Sequence, residues 1–250
     1  MTLLDYACSI CGAVCITAEE DLGRETASCP ACGSTMRMRA IGYLITTALF
    51  GTGLPLVDLP HRPRIRVVGL SDAGQYAERL EHRLDYINTW LHQEPRLDIT
   101  AVQDDQAGQY DLVISSDVFE HVLPPVQRAF DGAARLLRPG GHLVLTVPCV
   151  PTGSTVEHYP DCVDYDVIEV APDVFEVDVL TGDGIRRRVK DPVFHGGPGS
   201  TLEMRVFSMP DVLSHLGSAG FSAVRTLRDR VDEYGIRHDD GFSVPVLARR

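Results

Sequence analysis

From residue 39 the chain reads as apolar runs separated by polar turns, with the period switching between helix and strand. Apolar positions Ile41, Leu44, Ile45 and Ala48 fall on one helical face, so residues 39–50 predict a helix that Gly51 and Gly53 end. Residues 64–70 carry the β-branched run Ile65, Val67 and Val68 and predict a strand. Ser71 and Asp72 then introduce a helix over 73–83. Residues 84–88 give a second strand, 97–102 reach towards a third, and 111–116 form a buried strand with Leu112, Val113 and Ile114 at its centre. A helix over 125–137, a turn at 138–141 and a strand over 142–147 complete the alternation. Strand and helix in alternation predict parallel strands with helical crossovers, a doubly wound α/β sheet whose ligand crevice lies at the strand carboxyl ends.

Residues 149–205 break this rhythm. They are rich in Pro, Gly, Asp and His, with strand-like pieces at 173–180 and 185–189, and read as an insertion over the crevice. A helix over 209–219 stops at Gly220, and runs at 221–227 and 242–248 predict an antiparallel edge hairpin. The division expected is a small module over 1–38, a linking helix and turn over 39–62, and the α/β domain over 63–250.

The cysteines change this picture at the N-terminus. Four of the seven form Cys8-x2-Cys11 and, seventeen residues on, Cys29-x2-Cys32, with Gly12 and Gly33 after each pair where the chain turns tightly. That spacing predicts a zinc ribbon with four thiolates, a closed and therefore structural Zn2+ site. Cys15, Cys149 and Cys162 stand outside it and read as inert thiols.

Composition narrows the function. At 250 residues and 44% apolar content the chain can bury a core, and its formal charge of −12 repels phosphate backbones. The short basic clusters, Arg37 with Arg39 and residues 186–188, read as solvated surface. The apolar stretch 40–57 is broken by Thr, Gly and Pro and predicts no membrane span, and residues 1–20 show no targeting signal, so a cytoplasmic protein is expected.

Three segments carry a family resemblance: YDLVISSDVFEHV at 110–122, LLRPGGHLVLTVP at 136–148, and the last helix with Gly220, Phe221 and the hairpin. They resemble the fourth and fifth strands and the carboxyl end of class I S-adenosylmethionine-dependent methyltransferases (type 11-like), a Rossmann-like fold. The sequence CPACGS at 29–34 followed by Arg37 and Arg39 is similar to a bacterial subset of these enzymes with an N-terminal zinc ribbon. The resemblance implies S-adenosylmethionine as cofactor. It places Gly69, Ser71 and Asp72 at the first-strand loop, Asn88 at a ribose hydroxyl and Trp90 on the adenine. Asp98 would take the adenine amino group, with Ser115 and Ser116 lining the cofactor. The loop GLSDAG at 69–74 departs from the usual glycine-rich pattern, and Asn88 stands where an acid is usual. Each residue also has a structural reading: Ser71 or Asp72 as a helix cap, Asp98 as a turn residue, Trp90 as core.

Methyl transfer needs alignment more than side-chain chemistry, and a base only for an acceptor that must lose a proton. The candidate bases are His121, which follows Glu120 beyond the fourth strand, His158 in TVEHYP at 155–160 between Glu157 and Tyr159, and His195 in FHGGPGST at 194–201. Glu157, Tyr159 and Arg205 are candidate acceptor contacts. The glycine-rich segment with Arg205 suits an anionic acceptor group, while pairing of Arg205 with Glu203 is the structural alternative. The expected activity is methylation of oxygen or nitrogen on a small molecule, a secondary metabolite or sugar-like acceptor, with the ribbon as a structural appendage or as the dimerisation element of a homodimer. Its rivals are RNA methylation through the ribbon, against which the net charge argues, and a non-catalytic or atypical S-adenosylmethionine-binding protein.

Overall fold

A computed structural model describes residues 2–250. An N-terminal hairpin pairs β1 (Leu3–Ala7) with β2 (Val14–Ala18). Helix α1 (Met36–Phe50) follows. Thr35 caps it through an Oγ1 that accepts from the Met38 amide, and Gly51 ends it at φ 76°. The α/β body contains β3 (Arg62–Leu70), α2 (Gly74–Glu81), β4 (Leu84–Thr89), β5 (Tyr110–Ser116), α3 (Gln127–Leu136) and β6 (Leu137–Thr146). The expected turn at 138–141 is a looped-out stretch inside β6, because Tyr110 pairs with Leu137 and the next pair is Leu112 with His142.

The segment from 149 to 208 holds eight strands. These are β7 (Cys149–Val150), β8 (Val156–Glu157), β9 (Cys162–Ala171), β10 (Val174–Thr181), β11 (Arg186–Val189), β12 (Phe194–His195), β13 (Thr201–Leu202) and β14 (Arg205–Ser208). Strands β9 to β11 make an antiparallel sheet of their own, and β14 lies between β7 and β8. Helix α4 (Met209–Ser218), β15 (Ala223–Thr226) and β16 (Val246–Arg249) finish the chain.

The central sheet is mixed and six-stranded, in the order β15-β16-β6-β5-β3-β4. Strands β4, β3, β5 and β6 run parallel, and β16 and β15 are antiparallel. Because β4 lies on one side of β3 and β5 on the other, the chain reverses direction across the sheet between β3 and β5. A crevice opens there at the carboxyl ends. Alternating residues serve opposite faces. Val68, Val113, Leu143 and Leu145 pack with Phe130 and Ala133 of α3 and Val212 and Leu216 of α4. Val67, Leu112, Ile114 and Val144 pack with Ile41 and Ile45 of α1, Tyr76 and Leu80 of α2, and Tyr6 and Ile10 of the N-terminal hairpin. The hairpin thus shares a core with the sheet.

Two expectations are corrected. Residues 97–102 form turns rather than a strand, since this segment lies against α3. The Ile99 carbonyl comes so near Gly132 that a Cβ there would sit 1.8 Å from it. Arg39 is fully buried rather than solvated, and the Arg37 side chain is only 14% exposed. The Arg39 guanidinium donates to the carbonyls of Tyr234 (2.9 Å), Gly235 (3.0 Å) and Ser34 (3.2 Å) and to Ser28 Oγ (2.8 Å), tying hairpin module, helix and C-terminal segment together. Residues 186–188 are exposed as expected. Arg39→Met keeps the volume and strands these carbonyls. It is expected to cost on the order of 3 kcal/mol, since hydrogen bonds from charged groups contribute about 1.5–3 kcal/mol. Urea unfolding midpoints check this, and a loss below about 1 kcal/mol would contradict it. Among the described residues no helix is long and apolar enough to cross a membrane.

Candidate functional site

At the end of β3 the chain turns through Ser71, a non-glycine residue at φ 57°. Its amide donates to the Thr89 carbonyl at 2.8 Å. Asn88 clamps the next residue at both ends, its Oδ1 accepting from the Asp72 amide (2.9 Å) and its Nδ2 donating to the Asp72 carbonyl (2.9 Å). The Asp72 carboxylate is buried and accepts from the hydroxyls of Tyr76 (2.8 Å) and Tyr86 (2.9 Å). Gly69 makes room for that pair, because a Cβ there would lie 2.0 Å from Asp72 Oδ2. Gly69, Ser71, Asp72 and Asn88 therefore form one hydrogen-bonded unit.

Burial pushes the Asp72 carboxyl up from 3.8 to about 7, against the lowering effect of its two tyrosine partners. The folded chain keeps this proton where the unfolded chain has lost it. The stabilisation is therefore present below about pH 4 and disappears as pH rises to about 7. Asp72→Asn removes the titration. Its stability relative to wild type is expected to rise by a few kcal/mol (~1.4 per pH unit) between pH 4 and 8. Urea unfolding at both ends of that range measures it, and a difference independent of pH would contradict the assignment.

The end of β5 meets the N-terminal module. Ser115 and Ser116 are buried, and Asp117 follows at φ 53°. Arg24 Nη2 lies 2.7 Å from Asp117 Oδ1 and Arg37 Nε 3.2 Å from Oδ2, while Arg37 Nη1 donates to Ser116 Oγ. Burial alone would raise the Asp117 carboxyl, but Arg24 and Arg37 overcome it and hold it below the usual range. Both guanidinium groups also engage the half-exposed Glu25, with Arg37 binding it through two contacts of 2.7 and 2.8 Å. Ser115 Oγ and Arg24 Nε are buried without hydrogen-bond partners, and Asp117 Oδ2 has only its ion-pair contact with Arg37 Nε. Arg24 also lines a cavity of about 540 Å3 walled by Met36, His238 and Phe242.

Trp90, half-buried, follows β4; its amide donates to Pro95 and its carbonyl accepts from Leu97. Asp98 Oδ1 accepts from the Thr100 amide (2.9 Å) and hydroxyl (2.7 Å), a local turn cap that leaves its other oxygen without a hydrogen bond to protein. In the N-terminal module the sulfurs of Cys8, Cys11, Cys29 and Cys32 converge within 4.8 Å. Cys8 to Cys32 is 3.8 Å and Cys11 to Cys29 is 3.7 Å. Four sulfurs held tetrahedrally at about 2.3 Å from one ion stand about 3.8 Å apart. Gly12 (φ 75°) and Gly33 (φ 69°) close the two knuckles, donating to the carbonyls of Cys8 and Cys29.

The turn after β5, Phe119–His121, is bound by the insertion. Leu202 O accepts from His121 Nδ1 at 2.8 Å, and the Met204 amide donates to Glu120 O at 2.8 Å. Arg205, fully buried, donates to the carbonyls of Phe119 (3.0 Å) and Val122 (2.6 Å) and pairs with Glu157 at 2.7 Å, not with Glu203. Glu203 instead pairs with His158, Nε2 to Oε1 at 3.2 Å. Tyr159 is buried among Cys162, Leu202 and Met204. The β12–β13 hairpin brings His195 to Glu120, Nδ1 to Oε1 at 3.4 Å, with His121 Nε2 3.7 Å from the same oxygen. Burial pushes the Glu120 carboxyl up to about 7, with His195 the main group opposing it.

Of the three candidate histidines, His121 and His195 thus meet around Glu120, and His158 stands apart on Glu203. The sequence reading missed Arg24, Asp117 and the burial of Glu120. Asp117 and Glu120 lie inside the DVFEH run, but only the chain folded over them from outside that run makes them distinctive.

Residues 51–143 match the family model described as a methyltransferase domain. No curated protein matches the sequence. Among solved structures the chain is similar to the 1,6-didemethyltoxoflavin-N1-methyltransferase of Burkholderia thailandensis, solved with 1,6-didemethyltoxoflavin and S-adenosylhomocysteine. The identity is 15%, covering 86% of this chain and 77% of that one, at a TM-score of 0.48. An S-adenosylmethionine-dependent methyltransferase from Mesorhizobium loti matches at 18% identity over 77% of this chain and 94% of that one, TM-score 0.43. A sugar N-methyltransferase from Streptoalloteichus matches at 15% identity over 75% and 81%, TM-score 0.44.

Proposed function

We propose that this chain, whose residues 51–143 match a methyltransferase domain, is an S-adenosylmethionine-dependent methyltransferase that methylates oxygen or nitrogen on a small molecule, a secondary metabolite or sugar-like acceptor. The observation that carries the reading is the pair of orphaned buried polar atoms that meet at the end of β5, Ser115 Oγ and Arg24 Nε, beside the ion-paired Asp117. Buried polar atoms without partners are costly, and a polar ligand at the crevice would repay that cost. These residues fit the cofactor. Arg24 and Arg37, now on the surface carboxylate of Glu25, would take its amino-acid carboxylate, and Asp117 its amino group. Asp98 and Trp90 would meet the adenine. Asn88 serves by clamping the loop at Asp72. When bound, the cofactor supplies an electrophilic methyl group and its own leaving group.

His158, oriented by Glu203, is the base for an acceptor that must lose a proton. The four cysteines hold one structural Zn2+ in an N-terminal ribbon. Formation of S-adenosylhomocysteine over a panel of small hydroxyl and amine acceptors and a structured RNA tests the acceptor class. Turnover is expected with small acceptors, and turnover with RNA alone would contradict the proposal. One observation favours a second reading, a chain that keeps the fold without transferring methyl groups. Both ends of the Asn88 amide are engaged by Asp72, so the residue standing where a ribose-binding acid is usual is already occupied.

A further inference from the structure

We propose that Glu120, His121 and His195 form a second metal site, for one divalent transition-metal cation, separate from the four cysteines. Each of the three side chains offers one ligand atom, and all three atoms lie within 4.8 Å of one another. The contacts to Glu120 Oε1 are 3.4 Å from His195 Nδ1 and 3.7 Å from His121 Nε2. Nitrogen and oxygen ligands about 2.0–2.1 Å from a tetrahedral ion stand roughly 3.4 Å apart. The triangle is therefore near the right size before any adjustment.

The second observation is Glu120 itself. It is fully buried, and neither carboxylate oxygen has a hydrogen-bond partner. A buried carboxylate that makes no hydrogen bond and faces only two imidazole nitrogens at 3.4 and 3.7 Å is costly to hold, unless those rings are charged or a cation binds between the three groups. The third is the orientation of His121. Its Nδ1 donates to the Leu202 carbonyl at 2.8 Å, which leaves Nε2 as the lone-pair nitrogen on the side of Glu120. An outer hydrogen bond of this kind is what fixes the tautomer of a metal-ligating histidine.

Two imidazoles and one carboxylate select transition metals over Mg2+ or Ca2+, and three protein ligands leave coordination positions for water or a substrate oxygen. The site joins two parts of the chain: Glu120 and His121 follow β5, whereas His195 and Leu202 come from the insertion. Metal binding would hold the β12–β13 hairpin down on the crevice. For the role in catalysis the inference rests on the methyl-transfer reading; for the presence of the ion it does not.

The test uses the full chain with its cysteines loaded with zinc, titrated with Co2+ and followed by visible absorption and by metal content after gel filtration. One cobalt per chain is expected in addition to the zinc. Its d–d bands should appear without the thiolate charge-transfer band that cobalt at the cysteines would give. Glu120→Gln and His195→Ala should each weaken cobalt binding by more than the roughly 10–100-fold that loss of an outer-shell partner costs. Both should retain zinc and the wild-type circular dichroism spectrum. No cobalt beyond the cysteine site at millimolar concentration, or binding unchanged in both variants, would overturn the proposal. Neither outcome depends on S-adenosylmethionine, so failure here leaves the methyl-transfer reading standing.

Discussion

With Zn2+ held by the four N-terminal cysteines as proposed, removing the ion is expected to unfold more than the N-terminal module. Tyr6, Cys8, Ile10 and Cys29 lie in the same buried cluster as Ile41 and Ile45 of α1 and Val67, Leu112 and Val144 of the sheet. The module is therefore one wall of the main core. Structural zinc sites contribute apparent binding free energies of about 10–16 kcal/mol, comparable to the whole stability of a typical domain, about 5–15 kcal/mol. Without the ion, four thiols with sulfurs 3.7–3.8 Å apart in pairs lose what organises both knuckles. Arg39 then loses Ser28 and Ser34, two of its anchors. Chelation at neutral pH, or Cys29→Ser, should release one zinc and abolish the cooperative thermal transition of the α/β body. Metal-free chain that keeps its near-ultraviolet circular dichroism and melts within a few degrees of the holo form would contradict this.

His158→Ala is expected to lower turnover by about 10²- to 10⁴-fold, the usual contribution of a general base, and to leave cofactor affinity unchanged. The side chain is about a quarter exposed and Glu203 holds it at 3.2 Å, so an imidazole is oriented while still open to a substrate. The backbone amide of His158 is fixed separately on Met204 O at 2.8 Å, so truncation should not displace the loop. Steady-state kinetics with the true acceptor, together with titration of the cofactor, checks both halves. Unchanged turnover would remove His158 from the mechanism. For an acceptor already ionised, such as a carboxylate, no base is needed and the proposed hydroxyl or amine acceptor would be wrong.

The parts of this molecule that sequence made legible are those written locally. The paired Cys-x-x-Cys knuckles each carry their glycine, and the residues around Leu112, Val113 and Ile114 read as a buried strand because they are apolar on both faces. What sequence hid depends on partners far along the chain. Arg39 looks like surface beside Arg37, yet carbonyls at 234 and 235 bury it. Residues 97–102 have strand composition, but a close approach to Gly132 takes them onto α3 instead. Glu120 is unremarkable in its own segment, and its isolation from solvent comes from a hairpin that starts at Phe194. Arg205 and Glu203 sit two positions apart and invite pairing. Glu203 lies in the link between β13 and β14 while Arg205 begins β14, and each finds a partner elsewhere.

The central claim is that the crevice between β3 and β5 binds S-adenosylmethionine. Calorimetric titration of the zinc-loaded chain with S-adenosylmethionine and with S-adenosylhomocysteine tests it most directly. One binding site per chain for each is predicted. No heat of binding from either at millimolar concentration would contradict it.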